Sequence, residues 1–416
     1  MTAPSSGDAA ALEAAWRDLI DADVPAATSV LRRYRRVFGV VDPALRIDDA
    51  ILDTCSLGEG AILRRLGSYG GVEIIVCDET QQMRTGTYKA LDACVTAAAL
   101  RGAGIRRVVA SSGGNLSAAL GAYLQHAGIE ALLFQPSTTL FKQDRRFFGG
   151  STRLISVDLP EPQVKSLAAA VAERYAITPI PDTRWRLAAS AARAMFVAEA
   201  IRGALGPIDF LTQTVCAGFG PTGIYSCLRL LRRRGLLRAS AIPRLMGFQQ
   251  EANSPIVRAW RAGAHELSAE HIAPAPERYI EPGLYNTNPG PHYARLAALM
   301  RTFGGAMMAI GEAEYRDYAE LVRADLEAAG VRMSTLPGSD DLLEKTGLLT
   351  GVGIYRAIDA GILQPGELFL YMLTGGHREL DAAATPEPDL VVDDSQSEAA
   401  WTELIGERYG LDRAAE

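Results

Sequence analysis

The chain has 416 residues, 48% of them hydrophobic and 22% charged, with a formal net charge of −7. That length predicts more than one hydrophobic core, and the acidic balance argues against a nucleic-acid surface, which needs a basic face. No stretch approaches the roughly 18 uninterrupted apolar residues that a membrane span requires, so no membrane contact is expected.

The opening, MTAPSSGDAAALEAAWRDLID, lacks a basic segment followed by an apolar one, so no leader is expected. Residues 1–45 read as helical, and SVLRRYRRVFG (29–39) has apolar residues at helical spacing and stops at Gly39. GVEIIVCDET (71–80) reads as a short buried strand. TYKALDACVTAAALRGAG (87–104) reads as a helix closed by Gly102 and Gly104. IRRVVASS (105–112) is a strand, GGN a turn, LSAALGAYLQHAG (116–128) a helix and IEALLFQP (129–136) the next strand. Strand and helix alternating across short loops predict right-handed βαβ units on a parallel sheet. The rhythm returns at DFLTQTVCAGFGPTG (209–223) with its helix IYSCLRLLRRRG (224–235), at IPRLMGFQQ (242–250) and at ELFLYMLTGGH (367–377). ATPEPDLVVDDSQSE (384–398) is acidic and Pro-containing and reads as a tether to a last short helix, EAAWTELIGERYG.

The five cysteines, Cys55, Cys77, Cys94, Cys216 and Cys227, have no CxxC spacing, and the five histidines form no HxxxH or HExxH pair. A reduced, cytoplasmic setting and no metal are the expectations.

Chemistry concentrates where strands end. SSGGN (111–115), AGFGPTG (217–223) and TGG (374–376) are Gly-rich turns at the carboxyl ends of strands, where open α/β sheets bind ligands. Glycine there lets backbone N–H groups approach an anion, and the following helix adds its positive end. Gly218, Gly220 and Gly223 match a G-x-G-x-x-G dinucleotide spacing, but Pro221 removes one donor and no strand ending in Asp or Glu follows about twenty residues on. A phosphate nest fits better than NAD. Lys89, early in its helix among Tyr88, Ala90 and Leu91, is a nucleophile once desolvated. A pyridoxal phosphate site would need such a lysine, a phosphate nest and a partner for the ring nitrogen. The plainer readings are a solvated Lys89, Asn115 as a helix N-cap, Thr374 as a turn residue, and Tyr225 and Cys227 as packing. His377 is given no role.

LGEG (57–60), DETQQMRTGTYKALDA (78–93), SSGGNLSAALGAY (111–123), AGFGPTG (217–223) and LTGGH (373–377) stand in the order seen in fold-type II pyridoxal-phosphate enzymes, the tryptophan synthase β superfamily. Across roughly residues 50–380 the chain resembles threonine synthase and cysteate synthase. Thr87-Tyr88 replaces the Ser-Phe of the threonine-synthase pattern, while GFQQEANSPIVRAW (247–260) and YNTNPGPHY (285–293) are more like cysteate synthase. The resemblance implies the cofactor pyridoxal 5′-phosphate. It makes Lys89 the Schiff-base lysine and the base at the substrate Cα. Asn115 would bond the 3′-oxygen of the ring. Gly218, Phe219, Gly220, Pro221, Thr222 and Gly223 would surround the cofactor phosphate, and Thr374 would face the pyridine nitrogen. Ser112, Gly113 and Gly114 would hold the substrate carboxylate. Gly113 departs from the family, which has Ser or Thr there, and leaves that loop one hydroxyl short.

The expected fold is α/β, with two doubly wound parallel-sheet domains: a small one over 90–205 carrying the Asn115 loop, and a large cofactor-binding one from 1–89 plus 206–416, with 380–416 an acidic tail ending in a short helix. A neutral Thr374 at the ring nitrogen favours elimination at the side chain over long-lived carbanion chemistry. The expected activity is that of a lyase or transferase of amino-acid biosynthesis: β-replacement on O-phosphoserine, as in cysteate synthase. Alternatives are γ-elimination and hydration of O-phosphohomoserine, as in threonine synthase, a serine/threonine dehydratase-like lyase, and a silent binding protein. The partner is a small-molecule amino-acid substrate, with a homodimer left open. Arg84, Lys142, Arg145 and Arg146 are candidate cations for a substrate phosphate, and Asn286, Asn288 and His292 candidate neutral donors.

Overall fold

The structure is a computed structural model that describes residues 6–180, 183–274, 278–284, 286, 292–378 and 385–413. Its strands are β1 (Ile62–Tyr69), β2 (Val72–Asp78), β3 (Arg107–Ser111), β4 (Glu130–Pro136), β5 (Thr152–Val157), β6 (Thr178–Ile180), β7 (Phe210–Thr214), β8 (Arg244–Gln250), β9 (Gly305–Ile310), β10 (Leu368–Leu373) and β11 (Leu390–Val392). They form a six-stranded sheet, β1-β2-β10-β7-β8-β9, and a five-stranded sheet, β11-β5-β4-β3-β6.

Among the described strands only β1 runs antiparallel. It pairs with β2 across Gly70 and Gly71, whose φ values of 56° and 79° suit a two-residue hairpin turn. Every other pairing is parallel. Strands covered on both faces read as apolar runs, as IIVC within β2 and LFLYML do. The Ala-rich helix Lys89–Gly102 is buried along nearly its whole length. It packs on the helices Asn115–His126 and Thr183–Arg202, and the latter packs on the helix Phe219–Arg233. Small side chains permit that close approach.

Three expectations change. SVLRRYRRVFG is two short helices, Val30–Arg33 and Val37–Val41, because Tyr34 leaves helical geometry and buries its ring, with its hydroxyl on Glu199 at 2.5 Å. The helix after GFGPTG begins at Phe219, so the Gly-rich segment is its first turn. The acidic segment after residue 384 is no bare tether: β11 pairs with β5, and the helix Glu398–Arg408 packs on the helix Glu161–Arg174, burying Val392, Trp401 and Ile405 in the core of the five-stranded sheet.

Candidate active site

Because β2, β10 and β7 are parallel neighbours, residues far apart in sequence meet at one sheet edge. After β2 the chain turns on the buried Asp78, which accepts from Thr80 N at 3.0 Å and Gln81 Nε2 at 2.6 Å. It then runs along the end of β10. Tyr88 N donates to Thr374 O at 3.1 Å, Gly376 N donates to Gly86 O at 3.3 Å, and Thr87 bridges Gly375. The end of β7 leads to Gly218, in left-handed geometry, which caps the helix Phe219–Arg233. From the other sheet, β3 ends at Ser111, and Gly114, at φ 134°, caps the helix Asn115–His126. Between these ends lies a cavity of about 510 Å³.

Lys89, Ser112, Gly113, Gly114, Asn115, Gly218, Phe219, Gly220, Pro221 and Thr374 all line this cavity. Thr222 and Gly223 stand one layer back. The Thr222 hydroxyl is buried without a hydrogen-bond partner, and an added Cβ at Gly223 would lie 2.4 Å from Ser190 Cβ, so Gly223 serves helix packing. Asn115 is the first helical residue and not the cap. Its Nδ2 donates to Glu344 Oε2 at 2.5 Å. Of the polar candidates, Asn286 and His292 line the cavity, whereas Arg84, Lys142, Arg145 and Arg146 do not, and Asn288 lies outside the described residues. Arg84 pairs with Glu59, Arg146 with Asp144, and Arg145 is exposed. The cavity's cations besides Lys89 are Lys165 and Arg186. Both sit on helices that carry no motif, so no sequence signal pointed to them.

The sequence contains four lysines: Lys89, Lys142, Lys165 and Lys345. Lys89 and Lys165 reach the cavity, and the Lys165 side chain is 51% exposed and paired with Glu161, against 17% exposure for Lys89. Lys89 Nζ contacts Tyr88 Oη at 2.5 Å and Asp92 Oδ2 at 3.0 Å. Asp92 is buried, and its Oδ2 also accepts from Arg186 Nε at 3.4 Å. The Arg186 guanidinium lies 3.9 Å over the Phe219 ring, at the start of the Gly-rich turn. Behind that turn Arg193 is fully buried and grips Glu79 through two bonds of 2.6 Å. Burial opposes its charge, but the Glu79 carboxylate outweighs it and holds the guanidinium above its ordinary pKa.

A second buried network stands behind Asn115. Lys142 Nζ donates to Glu281 Oε1 at 2.6 Å and to Glu344 Oε2 at 2.7 Å. Burial and the neighbouring Glu344 push Glu281 upward. Burial acts the same way on Glu344, but Lys142, Asn115 and the Thr346 N–H outweigh it and hold that carboxyl below its usual range. Asn115 is therefore fixed by a carboxyl whose charged form the network favours.

These residues fit a phosphorylated, ring-bearing cofactor. The hydroxyls of Thr222 and Thr374 and Arg193 Nη1 are buried polar atoms without a partner, a condition that favours a ligand. An added Cβ at Gly220 would lie 3.0 Å from both Arg193 Nη1 and Gln213 Nε2, so the bare glycine keeps open a space faced by donors at a helix N-terminus. Among the described residues no group of three or more His, Cys, Asp or Glu could hold a metal ion, and no helix is long and apolar enough to cross a membrane.

Several known proteins are similar to this chain. Cysteate synthase from Methanospirillum hungatei JF-1 is 27% identical over 174 residues, a match spanning 40% of this chain and only 37% of that protein's length. A threonine deaminase from T.th. superposes with a TM-score of 0.57 at 20% identity over 77% of this chain and 92% of its own. Maize serine racemase does so with a TM-score of 0.57 at 13% identity, over 87% of this chain and 99% of its own. O-ureido-L-serine synthase reaches 0.52 at 16% identity, covering 85% and 98%. At these identities the structures establish a shared fold. The model of the family described as pyridoxal-phosphate dependent enzymes matches residues 62–327, well over half of the sequence. The chain therefore belongs to that family, with the two-sheet α/β fold of its fold-type II members, and its cofactor is pyridoxal 5′-phosphate.

Proposed function

We propose that the enzyme replaces the side-chain substituent of an O-phosphorylated amino acid with loss of phosphate, acting by β-replacement on O-phosphoserine. The observation that carries this reading is Thr374. At the end of β10, against the turn that presents Lys89, stands a buried neutral hydroxyl and not a carboxylate. When bound, pyridoxal phosphate supplies an electron sink for the substrate Cα, and a neutral partner leaves that sink weaker, which favours loss of a good leaving group at Cβ. Lys89 is the base at Cα. Asp92 and Tyr88 hold its amine, and both sit within hydrogen-bond reach. The first turn Phe219–Gly223 would hold the cofactor phosphate, with Thr222 and the Arg193 charge behind it. The Asn115 amide, held by Glu344, would bond the ring's 3′-oxygen. Backbone groups of Ser112, Gly113 and Gly114 receive the substrate carboxylate. Lys165, on the same side as that loop, offers a cation to the departing phosphate. The partial match to cysteate synthase supports the β-position.

The test is phosphate release from O-phosphoserine and from O-phosphohomoserine by the purified holoenzyme. Release from the first alone is expected. Release from O-phosphohomoserine alone moves the reading to γ-elimination, and turnover of free serine equal to that of its phosphate ester rejects phosphate as the leaving group.

A further inference from the structure

Next to the main cavity lies a second one of about 280 Å³. The two share Ser111, Ser112, Gly113, Glu161 and Lys165 as a common wall. Beyond that wall the second cavity is bounded by Pro136, Leu159, Pro160, Val164 and Pro282, with Thr138, Thr139 and Tyr279. Two of the hydroxyls at its edge are already engaged. The Thr139 hydroxyl donates to Pro136 O at 3.1 Å and accepts from Gln135 Nε2 at 3.1 Å, and Ser112 Oγ accepts from Ser117 N at 3.2 Å. What this space offers a guest is mainly apolar contact, with an ion pair, Lys165–Glu161, at its mouth. An apolar cavity of roughly 150 Å³ suffices for benzene, so this one is far larger than a small inorganic nucleophile needs.

Gly113 lines both cavities. Its backbone is not in the left-handed region, and the one heavy atom within 4 Å of an added Cβ, among the described residues, is Gly283 O at 3.7 Å. Neither conformation nor packing requires glycine here. Gly114 differs: its φ is 134° and an added Cβ would meet Lys142 Cδ at 3.0 Å. A bare residue 113 has one evident consequence, a shared wall that carries no side chain at this point.

We infer that the second cavity seats the incoming nucleophile, and that this nucleophile is a thiol carrying an apolar body about the size of a phenyl ring. The inference rests on the β-replacement reading and names its second substrate. A thiol suits the site because its thiolate is a strong nucleophile and an anion that the Lys165 ammonium attracts, whereas an apolar amine ionises to a cation that the same ammonium repels. The step balances. Lys89 takes the Cα proton, the Cβ–O bond breaks and phosphate leaves with its electron pair. The thiolate lone pair then forms the S–Cβ bond, Lys89 returns its proton to Cα, and the thiol proton departs with phosphate.

Two measurements on the holoenzyme test this. With O-phosphoserine as donor, kcat/KM for phenylmethanethiol should exceed that for sulfite by about tenfold or more, as burial of a ring predicts. Gly113→Ser, which the 3.7 Å clearance accommodates, and Thr138→Trp, at an exposed position lining the second cavity, should each cut that ratio by about tenfold. The ratio cancels any change in donor binding, and the cofactor absorbance reports that each variant is folded and loaded. Calorimetric binding of phenylmethanethiol, weakened by the same substitutions, is the second readout and needs no turnover. If O-phosphoserine releases no phosphate while the thiol still binds in this variant-sensitive way, the β-replacement reading fails and the binding site stands. A ratio that favours sulfite, a preference for benzylamine over the thiol, or binding indifferent to both substitutions overturns the inference.

Discussion

Two buried acidic sites behave differently and are tested separately. Lys142 holds Glu281 and Glu344 together with no solvent access, so Lys142→Met leaves two carboxyls facing each other without their cation. Removing one member of a buried ion pair costs about 3–5 kcal/mol. Denaturant titration should find Lys142→Met destabilised on that scale, and Glu344→Gln by less, because Lys142 then keeps Glu281. Equal losses would contradict a lysine shared between two carboxyls, either of which can pair with it. Glu59, in the LGEG motif, lies away from the cavity, where it accepts from Tyr123 Oη and, at 2.9 Å, from Arg84 N. Burial pushes its carboxyl up to about 7, against the opposing pull of Tyr123 and Arg84. The folded protein therefore keeps a proton that the unfolded chain releases above its ordinary carboxyl pKa, near 4.5. Stability from this group is fully present below about pH 4.5 and declines until about pH 7. Glu59→Gln should flatten that slope by something on the order of 1–3 kcal/mol across the window. An unchanged pH profile of the unfolding midpoint would contradict it.

At the scale of single elements, the first turn of the helix Phe219–Arg233 carries the clearest expectation. Gly220→Asp would place a carboxylate beside the unpartnered Arg193 Nη1, filling the space proposed for the cofactor phosphate. Charge-assisted hydrogen bonds of about 1.5–3 kcal/mol each are at stake. Cofactor affinity, followed by absorbance titration, should fall well over tenfold, and unchanged affinity would put the phosphate elsewhere. The same element shows what sequence reveals. GFGPTG announced a strand end and the start of a helix because glycine and position carry that information locally. Likewise β2, β3, β4, β7, β8 and β10 are apolar runs between Gly-rich turns, legible as strands of a parallel sheet. The helix Thr183–Arg202 is different. It is buried between two other helices for most of its length, so no polar face marks a period, and its contributions to the site, Arg186 and Arg193, stayed hidden. Lys142 looked like a cleft cation because Arg145 and Arg146 stand close by in sequence. Its two carboxylate partners come from positions 281 and 344, which only the folded chain brings near.

Across the whole molecule, the cavity exists because two sheets present their strand ends to one another, and the second sheet depends on the end of the described chain. β11 is three residues long and lies in an acidic segment, so composition alone suggested solvent. Pairing with β5 and the burial of Trp401 and Ile405 decide otherwise. Ending the chain before Thr385 should remove on the order of 5 kcal/mol from the five-stranded sheet, given about 1.5–3 kcal/mol for each of Val392, Trp401 and Ile405. A truncated protein with an unshifted unfolding midpoint would show that this segment is dispensable. The meeting of the two sheets leads to the central claim, that Lys89 carries the cofactor. Borohydride reduction of the holoenzyme followed by peptide mapping tests it directly, since the sequence offers four lysines and the three others are buried between carboxylates, half exposed or away from the cavity. The account predicts a single reduced adduct on the peptide containing Lys89, absent in Lys89→Ala; an adduct on the Lys142, Lys165 or Lys345 peptide of the unaltered protein would contradict it.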